Sequence, residues 1–121
     1  MGEYAKVKRE IKRWTLKELE DRRIETQERA REVQARFGGA DSHSTGQRDE
    51  HRAADYANRG ISTLCEEFLS LSAGLAGIGP DTTVGQLQKK LSETGRQRLE
   101  GAVSMAGSND IQLALRPLAA A

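Results

Sequence analysis

Aromatic residues are scarce in this chain: one Trp, two Tyr and two Phe among 121 residues. With so few rings, and no run of alternating apolar and polar positions, a sandwich or barrel of half-buried strands is excluded. Cysteine is scarcer still. Cys65 is the only thiol, so no internal disulfide can staple the fold. Long apolar runs are also missing. The most hydrophobic stretch, ISTLCEEFLSLSAGLAGIG, is interrupted by Glu66 and Glu67 and does not read as a membrane span. The opening MGEYAKVKRE lacks the apolar centre of a secretory leader, and Lys6 stands where N-myristoylation wants Ser or Thr. A cytoplasmic protein, or one enclosed in a virion or similar compartment, is therefore expected.

No sign of charge dominates either. The formal net charge is +1, although residues 1–37 hold 11 Lys/Arg against 8 Asp/Glu and residues 38–80 hold 3 against 6. Ile, Leu, Val and Phe together make 23 of the 121 residues, which is close to the level where chains fail to fold. A low net charge and strong periodicity argue instead for one folded domain, 1–121, with a thin core.

What the chain has is helical spacing. Leu16, Leu19, Arg23, Thr26, Ala30, Val33 and Phe37 recur at three-four intervals and predict a helix over 16–37. Three Glu→Arg pairs at i,i+4 (Glu18–Arg22, Glu25–Arg29, Glu32–Arg36) support it, each by about 0.2–0.5 kcal/mol. Gly38-Gly39 is placed to end it. Before it, Tyr4, Val7, Ile11 and Trp14 form a different stripe, which would run on to Glu18 and Asp21. Thr15 and Glu18 make a capping box, and Trp14 and Leu19 are spaced for a hydrophobic staple, so a kink is expected at Trp14–Thr15. Residues 38–47, GGADSHSTGQ, read as a loop, with Ser44 and Gln47 as a second capping box.

The clearest signal follows. Ala54, Ala57, Ile61, Leu64, Phe68, Leu71, Leu75 and Ile78 keep heptad spacing and predict a helix over 46–78 that is narrow near Gly60. Its flanking positions lack the complementary charges of a parallel coiled coil, so an antiparallel hairpin of 16–37 and 46–78 is expected. Thr83 and Gln86 open a further helix carrying Val84, Leu87 and Leu91. SETG (92–95) and GSND (107–110) read as breaks around Leu99, Val103 and Ala106. Ile111, Ala114, Leu115 and Leu118 suggest a last short helix before a frayed tail, 119–121. The fold class is thus all-α and bundle-like: a long hairpin, a basic N-terminal helical arm over 1–14, and two or three short C-terminal helices.

Catalytic patterns are weak. Asp41, His43, His51 and Asp55 do not make a fixed metal site, because two of them lie in the Gly/Ser loop. Cys65 falls on the apolar face between Leu64 and Phe68, where a thiol is inert packing. Glu66 and Glu67 point about 100° apart on a helix, and GLAGIG has no phosphate-loop spacing. No enzyme, metal, cofactor or small-molecule substrate is expected.

Two binding readings remain. The first is a non-catalytic helical interaction or assembly protein, built as some small viral or phage accessory proteins are. It would use Ala54, Ala57, Ile61, Leu64, Phe68, Leu71 and Leu75 against a second copy or a helical partner. The second is a small nucleic-acid-binding protein. Lys6, Arg9, Arg13 and Lys17 line one helical face, with Lys8 and Lys12 beside them, and 82–103 has a helix-turn-helix outline that would place Arg96 and Arg98 near phosphates. The same basic helix could lie on an anionic membrane with Trp14 at the interface, a less favoured reading, or simply dock on the bundle with its lysines in water.

Overall fold

The N-terminal stripe and the heptad stripe meet in one core. The computed structural model describes residues 2–37 and 45–109, with side chains throughout except at residues 3, 36–37 and 45–52. Among the described residues there are five helices and no strand: α1 (Glu3–Lys12), α2 (Leu16–Phe37), α3 (Thr45–Ser72), α4 (Val84–Lys90) and α5 (Glu93–Asn109). α2 and α3 form the expected antiparallel hairpin. α5 lies on the other side of α3, α1 lies on α5, and α4 closes the end against α1, α3 and α5.

The break after Trp14 is real, and its cause is the one expected. Glu18 N–H donates to Thr15 Oγ1 at 3.1 Å and Thr15 N–H donates to Glu18 Oε1 at 2.9 Å. Thr83 and Gln86 make the same reciprocal pair at α4. The two N-caps then face each other. Thr15 and Thr83 form an isolated antiparallel bridge, in which Leu16 N–H donates to Thr82 O and Val84 N–H to Trp14 O, both at 2.9 Å. Lys17 N–H reaches Pro80 O at 3.0 Å. The first-turn donors of α2, which an isolated helix leaves orphaned, are thus met by the loop between α3 and α4.

The core joins residues from all five helices: Val7, Ile11 and Trp14 (just past α1), Leu19, the α3 residues Ile61, Leu64 and Phe68, Val84 and Leu87, then Leu99, Val103 and Ala106. α3 and α5 cross closely at Gly60, where an added Cβ would lie 3.0 Å from the Ala106 Cα. One polar contact sets the hairpin's register. Asn58 Nδ2 donates to Arg23 O (3.2 Å) and to Thr26 Oγ1 (3.1 Å), and the buried Thr26 hydroxyl donates back to Arg22 O and Arg23 O.

Some expectations need correction. The heptad helix ends at Ser72 rather than 78, because Gly74 takes a left-handed φ of 84° and turns the chain out of the helix. Leu75 therefore leaves the stripe and is exposed, while Ile78 still packs on the core from the loop. SETG holds no four-residue break, since only Leu91 and Ser92 separate α4 from α5, which starts at Glu93. Gly107, Ser108 and Asn109 continue α5, because buried Gly107 packs against Val7, Tyr4 and Ile11. Residues 45–47, expected in the loop, are helical. The Gly38-Gly39 stop, the Ser44 cap, Asp41, His43 and the helix over 111–118 with its tail lie outside the described residues.

Candidate functional site

The basic arm is docked. Val7, Ile11 and Trp14 of its apolar stripe are buried, Trp14 only 4% exposed, while Tyr4 stays at the surface, so the face opposite carries the cations to solvent. Lys6 and Arg9 are exposed on α1 and Arg13 at its C-cap, where Arg13 Nη1 lies 3.5 Å from Glu10 Oε2. Lys17 is also exposed, but it stands on α2 across the capped joint. A buried Trp14 cannot serve as an interfacial anchor, and no helix among the described residues is long and apolar enough to cross a membrane.

Lys8 and Lys12, one turn apart on α1, converge on one carboxylate of α5. Lys8 Nζ lies 2.5 Å from Glu100 Oε2 and Lys12 Nζ lies 2.7 Å from Glu100 Oε1. From α4, Gln88 Nε2 donates to Glu100 Oε1 at 3.0 Å and sits 3.4 Å from Arg96 O. Burial alone would raise the Glu100 pKa, but the hydrogen bonds from Lys12, Lys8 and Gln88 outweigh it and hold the carboxyl down at about 2. The same contact raises the Lys8 pKa, against a smaller lowering from burial. The Lys8 ammonium also lies 5.6 Å from the Tyr4 ring centroid. Beside this knot is an open depression of about 300 Å³ lined by Gln88, Glu93, Arg96, Gln97 and Glu100. The fold thus gathers Lys8 and Lys12 of α1, Gln88 of α4 and the start of α5 around Glu100, while Lys6, Arg9 and Arg13 are exposed elsewhere on the arm.

Arg98 is not part of it. Its guanidinium turns to the other side of α5 and pairs with Glu67 of α3. α1, α3 and α4 all pack on α5, while Arg96, Gln97 and Arg98 near its start are exposed.

The heptad stripe is inside the chain. Ala54, Ala57, Ile61, Leu64 and Phe68 are buried among the chain's own helices and Leu71 is half-buried, leaving Leu75 as its one exposed member. Other large apolar side chains lie at the surface: Tyr4, the outer member of the N-terminal stripe, and Met105 and Tyr56, which periodicity did not single out. Tyr4 lies against one flank of the C-terminal half of α5, its hydroxyl donating to Ser104 O at 3.2 Å, and Tyr56 lies against the other, its carbonyl accepting from Asn109 Nδ2 at 2.9 Å.

Burial raises the Cys65 pKa, which keeps the thiol protonated and unreactive. Asp55 pairs with Arg59 at 2.9 Å, and no group of three or more His, Cys, Asp or Glu side chains among the described residues is arranged to hold a metal ion. Sequence reasoning missed Glu100 and Gln88. Their partners lie on other helices, Lys8 and Lys12 on α1 and Gln88 on α4, so spacing along one helix does not record the cluster.

No protein-family model matches the chain, and comparison with curated proteins and with solved structures finds no match.

Proposed function

We propose that this chain is a non-catalytic helical binding protein whose working surface is the basic face of α1 with the adjoining part of α5, and that its ligand is the phosphate backbone of DNA or RNA. The observation that carries this reading is the division of α1. Val7, Ile11 and Trp14 fasten it to the core, which leaves Lys6, Arg9 and Arg13 in solvent on a rigid helix. Cations held this way gain affinity by releasing condensed counter-ions, without sequence preference. Replacing Lys6, Arg9 and Arg13 together by Gln should weaken binding of a labelled duplex and flatten its log–log salt slope by about 2.7, since each phosphate contact contributes about 0.9. The thermal midpoint should hardly move, because these side chains are exposed. An unchanged affinity and slope would sink the proposal.

A second reading, assembly with another copy or a helical partner, draws support from Tyr4, Met105 and Tyr56 on either side of α5. With the stripe of Ala54–Phe68 enclosed, this is where such a partner would sit. Met105→Asp should then lower the mass in solution while leaving the chain folded. Equal masses for both proteins across concentrations would exclude assembly through this face.

A further inference from the structure

We infer that Glu100 is an internal competitor for phosphate, a carboxylate that occupies Lys8 and Lys12 and so sets how tightly the basic face grips a polyanion. The inference rests on the binding reading above. Each lysine takes one carboxylate oxygen, at 2.5 and 2.7 Å, as it would take one of the two non-bridging oxygens of a phosphodiester. Gln88 fixes the carboxylate from α4, so the pair of ammonium groups is held rather than free to swing outward. All three charged side chains are still a quarter to a third exposed. Both ammonium groups are thus open enough for a polyanion to reach them without opening the core once the carboxylate charge is removed. In the resting protein, then, Lys6, Arg9 and Arg13 make the first contacts, and Lys8 and Lys12 join only if Glu100 is displaced or neutralised.

The test is anisotropy titration of a labelled DNA duplex and an RNA duplex with the full chain, at about 50 and 200 mM salt. Wild type, Glu100→Gln and the triple variant Glu100→Gln/Lys8→Gln/Lys12→Gln are compared. Glu28→Gln, an exposed position on α2, makes the same change in net charge away from the face. Glu100→Gln should bind about tenfold tighter with a salt slope steeper by about 1.8, two phosphate contacts' worth. Glu28→Gln should gain far less, and the triple variant should lose the gain. In wild-type protein saturated with duplex, the NMR signals of the Lys8 and Lys12 ammonium groups should keep their free positions while that of Lys6 moves. This last measurement decides the matter even if Glu100→Gln fails to fold. If wild type binds but Glu100→Gln shows the same affinity and slope, or if Lys8 and Lys12 shift as far as Lys6 in wild type, Glu100 is only a structural tie. If neither protein binds either duplex, the phosphate reading fails and this inference falls with it.

Discussion

Glu100 shows how one residue can couple an arm to its bundle through charge. Its carboxyl is held at about 2 in the fold against an ordinary 4.5. A group whose folded pKa lies below its unfolded one binds fewer protons when folded, so the stability it adds is complete above 4.5 and is lost as the pH falls toward 2. Acid titration should therefore destabilise the wild type more than Glu100→Gln between those values, as read by denaturant midpoints at each pH. At Gly60 the deciding effect is steric. Alanine in a helix gains about 1 kcal/mol over glycine. Here its Cβ would stand 3.0 Å from the Ala106 backbone, which cannot swing aside like a side-chain tip. Overpacking of this kind costs about 1–3 kcal/mol, so Gly60→Ala should give a net loss and Gly60→Leu a larger one, measured by urea midpoint. Phe68, fully enclosed, belongs to the opposite case. Phe68→Ala should cost about 3–5 kcal/mol through lost burial and the cavity left behind.

At the scale of elements, the paired caps carry the architecture. α2 and α4 begin with the same chemistry, Thr15-Leu16-Lys17-Glu18-Leu19 and Thr83-Val84-Gly85-Gln86-Leu87, with the last residue of each buried. The bridge between Thr15 and Thr83 lays these starts side by side, each supplying a carbonyl to the other's first helical N–H. Loss of one cap hydroxyl typically costs about 1 kcal/mol. Thr15→Ala should exceed that figure if the bridge loosens with the cap. A double-mutant cycle with Thr83→Ala measures the coupling, and strict additivity would mean that the two caps act independently. Both capping boxes were readable from the sequence because each is a local pattern over four residues. Their pairing was not, since it joins positions far apart in the chain. The end of α3 was misplaced for a related reason: the stripe's spacing continues through Leu75 and Ile78, while the left-handed Gly74 stops the helix.

For the whole molecule, the main consequence is that the N-terminal arm is a structural member. Trp14 lies in the common core and its ring is covered by the Arg22 guanidinium, 4.3 Å from the ring centroid. Its emission should be blue-shifted in the free protein and move to the red in the same transition that melts the helices. An earlier fluorescence transition would show an arm that detaches by itself. The sequence by itself determined the all-helical class, the hairpin, the kink at Trp14–Thr15 and most of the buried positions. Those follow from apolar period and capping chemistry, which act within a few residues along the chain. Only the tertiary structure decided which surfaces are left for binding. It enclosed Ala57, Ile61, Leu64 and Phe68 within the chain, turned Arg98 away to Glu67 and brought Lys8 and Lys12 to Glu100. Such pairings are set by how helices stack, and no period along the sequence records which faces will meet.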